Sequence, residues 1–378
     1  MSGIYIHIPF CKQACHYCDF HFSTSMKKKE EIVLALAKEL SMRKSESEGE
    51  IIETIYFGGG TPSVLSNQEI GFLLDTVYLH YQVSNNPEIT LEANPDDLSS
   101  DRIVALAKTK INRLSIGIQS FFDEDLKMMN RAHNATEARQ SLHEAVANFD
   151  NISVDLIYGI PGMSDARWRQ NIEEVLSLEI PHISAYALTV EPRTALKKMI
   201  ETKQIAAPSD KVAQRHFRIL TEMLATNGFI HYELSNFGKQ GFFSRNNSGY
   251  WTGEKYIGIG PSSHSFNGVT RSWNIANNAI FIRSILEGKL PSEVETLTLT
   301  DRYNEYIMTG LRTIWGVSLT RIKDAYGVLY YEYLLKNAQR FLADGLLVID
   351  DDVLKTTPKG KFLTDGIASD LFLVNLAD

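Results

Sequence analysis

Short apolar runs recur through the first half of the chain, and longer amphipathic runs separate them. The apolar runs predict six β-strands, at 4–9, 51–57, 88–93, 113–119, 151–157 and 182–188. The amphipathic runs predict five helices, at 27–43, 67–81, 99–109, 135–148 and 166–178. Strands that alternate with helices, without hairpin signals between them, predict right-handed β–α–β units and a parallel sheet.

The pattern is less regular after about residue 190, where one helix, 210–227, stands among turns rich in Gly and Asn. A second unit follows, with predicted helices, a short hairpin and a last helix from Pro358. Its helices are 302–314, 319–325 and 330–344, and its hairpin strands are 346–349 and 353–356. This order resembles a winged-helix module. We therefore expect three parts: 1–190, a connecting extension at 191–299, and a C-terminal unit at 300–378.

Charge and hydropathy exclude several partners. The 378 residues carry 38 Lys and Arg against 46 Asp and Glu, without a long basic stretch, so nucleic acid is not an expected partner. The turn of the predicted hairpin, Asp350-Asp351-Asp352, is acidic as well. We find no apolar run near the ~20 residues that span a bilayer and no signal peptide. Free thiols without an export signal predict a cytoplasmic protein.

All three cysteines of the chain lie within eight positions, as Cys11-x3-Cys15-x2-Cys18, on the loop that follows the first predicted strand. Three thiolates on one loop suit a metal centre. Structural zinc usually takes four protein ligands, whereas an iron–sulfur cluster held by three cysteines leaves one iron open to an outside ligand. We favour the cluster. The alternatives are zinc completed by His16 or His21, and ordinary buried thiols.

Further polar and glycine residues stand where predicted strands end. Three consecutive glycines before Thr61-Pro62 let backbone amides approach a ligand closely. Asp155 lies inside an apolar strand, and a buried carboxylate there needs a partner such as a ribose or substrate group. The glycines could instead serve only a tight turn. The same edge is expected to carry Glu92, which could instead be a surface charge, and Arg131, which could instead be a helix-end charge. Gln119 offers an uncharged amide there, and Tyr5 could point there from the first strand.

These motifs resemble the radical S-adenosylmethionine superfamily and, over nearly the whole chain, its oxygen-independent coproporphyrinogen III oxidase family. The resemblance implies an incomplete parallel (β/α)6 barrel with the smaller C-terminal unit. It implies a [4Fe–4S] cluster whose open iron is chelated by S-adenosylmethionine, and a superfamily chemistry that generates a 5′-deoxyadenosyl radical. The implied cluster ligands are Cys11, Cys15 and Cys18, and the implied cofactor contacts are Tyr5, Tyr17, Gly59, Gly60, Thr61, Glu92, Gln119, Arg131 and Asp155.

Two departures separate the branches of that family. The oxidase carries a further cysteine two positions after the third and an N-terminal extension, whereas here Phe20 stands at that position and ten residues precede Cys11. Both departures match the HemW-type haem-chaperone branch. We therefore expect a haem chaperone that delivers haem to an acceptor protein, with an oxidase-like fold but without the decarboxylation activity. The alternatives are the oxidase itself and a zinc-binding structural module.

The chaperone branch also carries a His-Asn-x-x-Tyr-Trp motif that is thought to take part in haem binding. This chain matches it with Asn247, Tyr250 and Trp251, but Asn246 replaces the histidine. An amide is a poor iron ligand, so an axial ligand must come from elsewhere. The candidates are His264 and His21, either of which could instead be structural.

Overall fold

The computed structural model describes residues 2–374. Met1 of the first predicted part and residues 375–378 of the predicted C-terminal unit lie outside the described residues. The first half of the chain confirms the predicted alternation of strands and helices. The strands are β1 (Ser2–Ile8), β2 (Ile52–Gly59), β3 (Val83–Ala93), β4 (Arg113–Gln119), β5 (Ile152–Tyr158) and β6 (His182–Ala187). The helices are α1 (Lys29–Met42), α2 (Asn67–His80), α3 (Ser100–Leu106), α4 (Asp123–Met128), α5 (Ala135–Val146) and α6 (Asp165–Ser177).

All six strands are parallel and adjacent in chain order, as the resemblance to a partial barrel predicts. Strand β1 shows how the sequence builds this sheet. Ile4, Ile6 and Ile8 are fully buried in the main hydrophobic core, and each contributes about 1.5–3 kcal/mol through burial. The alternate residues Tyr5 and His7 occupy the opposite face of the strand. The α4 helix was not predicted, because its six residues are too short to show a helical period.

The middle of the chain contributes more strands than the sequence predicts. Its elements are α7 (Ala195–Glu201), α8 (Asp210–Thr226), β7 (Ile230–Glu233), β8 (Asn236–Gly238), α9 (Arg245–Thr252), β9 (Lys255–Ile259), β10 (His264–Phe266), β11 (Thr270–Asn274), α10 (Asn278–Leu286) and β12 (Ser292–Thr296). Strand β9 pairs in parallel with β1, and β10 to β12 continue the sheet beyond it. Strands β8 and β7 extend the other edge, beside β6. The sheet therefore has twelve strands among residues 2–374.

The C-terminal unit has its own hydrophobic core, built around Tyr303, Leu334 and Leu354. Its elements are α11 (Leu299–Leu311), β13 (Val317–Ser318), α12 (Leu319–Tyr326), α13 (Val328–Ala343), β14 (Leu347–Asp350), β15 (Val353–Thr356) and α14 (Thr364–Asp370). The predicted helices and hairpin are confirmed, although α11 ends at Leu311 rather than at residue 314. The separate core supports a boundary near residue 299, and the three-part division stays a proposal.

The C-terminal unit contacts both extensions of the large sheet. On one side, the backbone N–H of Ile314 donates to the carbonyl of Tyr232 in β7, at 3.0 Å. On the other side, Arg271 of β11 forms an ion pair with Glu305 of α11, at 2.8 Å. The C-terminal unit therefore contacts strands near both edges of the large sheet, β7 on one side and β11 on the other. The parallel strands β1 to β6 lie between these two contacts. Within residues 2–374, we find no helix with the length and apolar character needed to cross a bilayer.

Candidate functional site

A cavity of about 660 Å³ lies at the carboxyl ends of the parallel strands, where parallel barrels collect their chemistry. Its walls include every predicted cluster ligand and all but one of the predicted cofactor contacts. These are Cys11, Cys15, Cys18, Tyr17, Gly59, Gly60, Thr61, Glu92, Gln119, Arg131 and Asp155. Residues as far apart in the chain as Cys11 and Asp155, 144 positions, therefore meet at one place.

Backbone hydrogen bonds hold the cysteine loop in place. Its beginning is paired with its end, because the N–H of Cys11 donates to the carbonyl of Ser23 at 3.1 Å. Its middle is bound from two other segments, since the N–H of His16 donates to Met129 and its carbonyl accepts from Leu196. A loop tied at three points presents its thiols with little freedom to rearrange.

The two histidines proposed as zinc ligands already have other hydrogen-bond partners. His16 Nδ1 lies 2.9 Å from the carbonyl of Met128, and His21 Nε2 lies 2.7 Å from Oδ1 of Asn278. Within residues 2–374, no three Cys, His, Asp or Glu side chains converge closely enough to hold a single metal ion. The three thiols are also unpaired with each other. The hydrogen bonds of His16 and His21 engage one ring nitrogen of each histidine, and the preference for a cluster over zinc continues to rest on the three-cysteine pattern.

Arg131 connects the cysteine loop to the barrel strands. Its Nη1 donates to Sγ of Cys15 at 3.4 Å and to the hydroxyl of Tyr17 at 3.3 Å. Its Nη2 donates to Asn94 Oδ1 at 2.7 Å and to the Gly117 carbonyl at 2.8 Å. Its buried Nε has no hydrogen-bond partner among the described residues. A free guanidinium donor at the cavity suits a carboxylate ligand such as that of S-adenosylmethionine.

The glycines after β2 have backbone positions that a side chain would block. Gly59 has a φ of +105°, and a Cβ there would lie 2.6 Å from the His7 ring. A Cβ on Gly60 would lie 2.6 Å from the carbonyl oxygen of Phe10. The end of β2 can therefore pack against β1 and the start of the cysteine loop only because these residues are glycines. An ordinary turn does not require such close backbone contacts.

Two carboxylates face the cavity with raised pKa values. Burial raises the pKa of Glu92 to about 7, although the Tyr56 hydroxyl donates to it at 2.8 Å. Burial also raises the pKa of Asp155 to about 6, against hydrogen bonds from Ser184 and Ser115. Each carboxylate would be stabilised by a ligand that brings positive charge or hydrogen-bond donors.

Tyr5 is the predicted cofactor contact that does not line the cavity. Its ring stacks on Tyr56 at 6.0 Å, and its hydroxyl lies 3.3 Å from Nδ1 of His7. His7 in turn contacts the carbonyl of His21 through Nε2, at 3.0 Å. Tyr5 is thus one layer below the cavity, beside the glycines and the end of the cysteine loop.

The cavity also includes residues that the sequence analysis missed. Asn94 and Ser115 line it, as does Tyr186 near the end of β6. The alternation of side chains along β4 could have identified Ser115 as a cavity residue. Ser115, Gly117 and Gln119 are alternate residues of this strand, and all three line the cavity. Gln119 has a φ of +66°, a conformation uncommon for a residue with a side chain, where the pairing of β4 with β5 shifts register.

The haem motif lies on α9, towards the amino ends of the strands and away from the cavity. The backbone N–H groups of Arg245 and Asn246 both donate to the Glu88 carboxylate, at 3.0 Å. Asn246 is only 6% exposed, and its Oδ1 lies 3.3 Å from the Thr54 hydroxyl. The position where the branch carries histidine is therefore part of the packing under the barrel.

The other haem candidates are spread over the outer elements. Tyr250 packs edge to face on Tyr256 of β9, with ring centroids 4.6 Å apart. Trp251 lies under the Arg312 guanidinium at 4.9 Å, and Asn247 donates its N–H to Ser244. His264 of β10 is exposed beside Trp273 of β11, at 6.1 Å between centroids. None of these residues, and not His21, is among those that line the cavity.

Family models match both parts of this architecture. The model of the Radical SAM superfamily matches residues 5–175, which include the cysteine loop and most of the cavity. The model of the HemN C-terminal domain matches residues 297–363, which form most of the C-terminal unit. Members of the radical SAM superfamily bind a [4Fe–4S] cluster and S-adenosylmethionine, and the thiols, glycines and Arg131 of this cavity fit that pair of groups.

Relatives and a solved structure cover the chain end to end. The heme chaperone HemW of Mycobacterium tuberculosis is 32% identical over 98% of this chain and 94% of its own length. HemW of Bacillus subtilis is 33% identical over 96% and 97%, and HemW of Escherichia coli is 30% identical over 98% of both chains. The structure of E. coli coproporphyrinogen III oxidase (HemN) superposes with a TM-score of 0.85, at 22% identity over 98% of this chain and 90% of that one. That likeness shows the fold.

The fold and the cavity thus define a protein of the radical SAM class, with a HemN-type C-terminal unit. Within that class, the full-length identities separate the branches. The chain belongs to the HemW family.

Proposed function

We propose that this protein is a haem chaperone that holds a [4Fe–4S] cluster and S-adenosylmethionine and transfers haem to an acceptor protein. The observation that carries the proposal is the cavity, which brings three cysteines and a cofactor-binding wall together in a chain similar throughout its length to heme chaperones. The cluster and S-adenosylmethionine would supply one-electron chemistry there. We further propose that the protein acts in the cytoplasm.

Cys11, Cys15 and Cys18 would hold the cluster, and Arg131 would orient it and bind the cofactor carboxylate. Glu92 would face the cationic part of the cofactor, and Asp155 its ribose hydroxyls. Burial raises the pKa of the Cys11 thiol to about 11 in the ligand-free protein, and iron would deprotonate it on binding.

Phe20 distinguishes this proposal from the oxidase. It lines the cavity and is 68% exposed, at the position where the oxidase branch carries a cysteine. An exposed phenyl ring supplies neither a thiolate nor a proton donor. The cavity therefore keeps its cluster-binding residues while it lacks one polar group of the oxidase pattern.

His264 is the better candidate for the haem iron ligand. No hydrogen bond among residues 2–374 uses its ring, and Trp273 offers an aromatic neighbour for a porphyrin. His21, in contrast, is bonded to Asn278 through Nε2. A free imidazole nitrogen is what haem iron requires.

The test is anaerobic reconstitution with iron and sulfide, followed on one sample by haem titration and a coproporphyrinogen III turnover assay. Saturable haem binding without decarboxylated product is the expected result. Product formation without tight haem binding would establish the oxidase instead. A colourless protein that retains zinc would exclude both.

The ligand is tested by His264→Ala, which should lose the Soret shift of bound haem and weaken binding at least tenfold. His143→Ala is the matched control, because His143 is also an exposed histidine but lies on α5, in the barrel wall. Unchanged haem binding in His264→Ala would remove His264 from the site.

A further inference from the structure

A buried arginine lies one layer below the cavity, at the start of β4. Arg113, Ser115 and Gly117 are alternate residues of this strand, and Ser115 and Gly117 line the cavity. Arg113 pairs in register with Thr90 of β3, which is two positions before the cavity residue Glu92. The side chain of Arg113 is therefore on the inward face of the sheet, and the residue is only 1% exposed.

The guanidinium of Arg113 makes no hydrogen bond to any of the residues 2–374, and its Nε is a buried donor without a partner. Its ion pair with Glu88 of β3 is long, at 4.0 Å between Nε and Oε2. Glu88 instead accepts the backbone N–H groups of Arg245 and Asn246. Because an arginine keeps its charge at any ordinary pH, Arg113 brings a positive charge to the barrel interior rather than a structural hydrogen bond.

The charge of Arg113 acts on two carboxylates of the cavity. Burial raises the pKa of Glu92 to about 7 and the pKa of Asp155 to about 6, and Arg113 opposes that rise at both residues. The two carboxylates also repel each other, since the charge of Asp155 adds to the rise in the pKa of Glu92. A cation in the layer below therefore favours the ionised form of both.

The other titratable side chains around these carboxylates are neutral, because burial raises the pKa of each tyrosine and lowers the pKa of the histidine. They are Tyr5, Tyr56, Tyr186, Tyr232, Tyr250 and His182. The charged side chains of the region are Glu88, Glu233, Arg113 and Arg131. Arg131 reaches the region from the cysteine loop, whereas Arg113 lies below the carboxylates.

We propose that Arg113 is a positioning residue for S-adenosylmethionine, whose buried charge keeps Glu92 and Asp155 ionised so that they hold the cationic part and the ribose of the cofactor. The proposal rests on the proposed function, in which the cavity binds this cofactor, and it does not involve haem. An ionised Glu92 attracts a cation, and an ionised Asp155 accepts hydrogen bonds from two hydroxyls. Without Arg113, both carboxyl groups would keep their protons to higher pH, and cofactor binding would have to displace those protons.

The experiment measures the dissociation constant of S-adenosylmethionine by calorimetry at pH 6 and at pH 9, with the reconstituted full-length protein and without reductant. Arg113→Met should bind about tenfold more weakly than the wild-type protein at pH 6 and within about twofold of it at pH 9, as a rise of about one unit in carboxyl pKa requires. The ratio of the two proteins at each pH cancels the titration of the cofactor's own amino group. Arg113→Lys keeps the charge and should stay within about twofold at both pH values.

Arg43→Met is the matched control. Arg43 is 3% exposed, but it donates to Glu39, Glu46 and the carbonyl of Gly258, none of which lines the cavity. This variant should melt at a lower temperature because buried acceptors lose their donor, and its cofactor affinity relative to the wild-type protein should be the same at both pH values. An equal weakening at pH 6 and pH 9 in Arg113→Met would show a merely structural role and overturn the proposal.

Infrared spectroscopy gives a second readout that needs no substitution at Arg113. At pH 6, S-adenosylmethionine should remove from the wild-type spectrum the band of a protonated carboxyl group that Glu92→Gln lacks. Persistence of that band with the cofactor bound would overturn the proposal. A wild-type protein that binds no S-adenosylmethionine would refute the proposed cofactor site and the role of Arg113 together, whereas binding with a persistent band would refute the role of Arg113 alone.

Discussion

The guanidinium of Arg131 donates a hydrogen bond to the sulfur of Cys15, at 3.4 Å. The two residues are 116 positions apart, and this bond joins the cysteine loop to the end of β4 through the Gly117 carbonyl. A hydrogen bond to a cluster sulfur is one of the levers that set cluster potential. In the function proposed above, Arg131 would contact both the cluster and the cofactor.

Replacement Arg131→Met should destabilise the protein and raise the exposure of the cluster. The buried acceptors on Asn94 and Gly117 would lose their donor, at about 1–3 kcal/mol each. We expect a lower melting temperature and a shifted cluster potential, measured by calorimetry and by redox titration with electron paramagnetic resonance. Arg139→Met is the control, because Arg139 forms a half-exposed ion pair with Glu174 worth at most about 1 kcal/mol. Equal losses in the two variants would contradict a special role for Arg131.

Replacement Gly60→Ala should displace the cysteine loop. The added Cβ would meet backbone atoms of Phe10 and Ile8 at 2.6–2.9 Å, and backbone cannot turn aside as a flexible side chain can. We expect less iron per chain after reconstitution and weaker S-adenosylmethionine binding by calorimetry. Gly71→Ala in α2 is the control: its Cβ would meet nothing within 4 Å, and it should stabilise the helix by about 1 kcal/mol. Full iron loading of Gly60→Ala would show that the loop tolerates the shift.

The ligand-free protein should lose stability as pH rises through the titration of Glu92. The folded pKa is about 7 and the ordinary value is 4.5, so the folded state keeps a proton that the unfolded chain releases between those values. The free energy of unfolding therefore falls across this window. Because solvent in the cavity screens the carboxylate, the expected fall in the free energy of unfolding is on the order of 2 kcal/mol.

Replacement Glu92→Gln removes this titration, so the stability of the variant relative to the wild-type protein should rise between pH 4.5 and 7. Thermal melts at several pH values measure the difference. Glu173→Gln, an exposed residue of α6, should show no such trend. A constant difference for Glu92→Gln at every pH would mean that Glu92 has the same pKa in the folded and unfolded states.

Replacement Cys15→Ala should abolish the brown absorbance of the reconstituted cluster and leave the fold intact. Cys15 is only half-buried in a loop, and the core strands do not depend on it. Far-ultraviolet circular dichroism and iron analysis measure the two effects. A full four-iron spectrum in this variant would refute the ligand assignment.

Replacement Asn246→His restores the motif of the haem-chaperone branch but should not tighten haem binding. The side chain at 246 is packed against Thr54 under the barrel, and a larger ring there has no path to a porphyrin. We expect an unchanged haem dissociation constant and a melting temperature lowered by overpacking. Tighter haem binding would show that α9 moves away from the barrel to bind haem.

The sequence by itself determined the cysteine motif on which the cluster prediction rests, and the central strands. Cys11, Cys15 and Cys18 are close in the chain, so their spacing is a local property. The period of two in β1 and of about 3.6 in α1 likewise reflects which face each residue buries. The requirement for glycine at Gly59 and Gly60 was visible in the same way, because a run of glycines marks a close backbone approach.

Only the tertiary structure decided what lies next to what across long stretches of chain. Strand β9 is five residues long, and nothing local shows that it pairs with β1, although paired residues such as Ser2 and Lys255 are 253 positions apart. The burial of Asn246 and the position of Tyr5 beside Tyr56 also depend on contacts between distant segments. Periodicity encodes which face of an element is buried, whereas these contacts depend on which partner covers that face, and no local pattern carries that information.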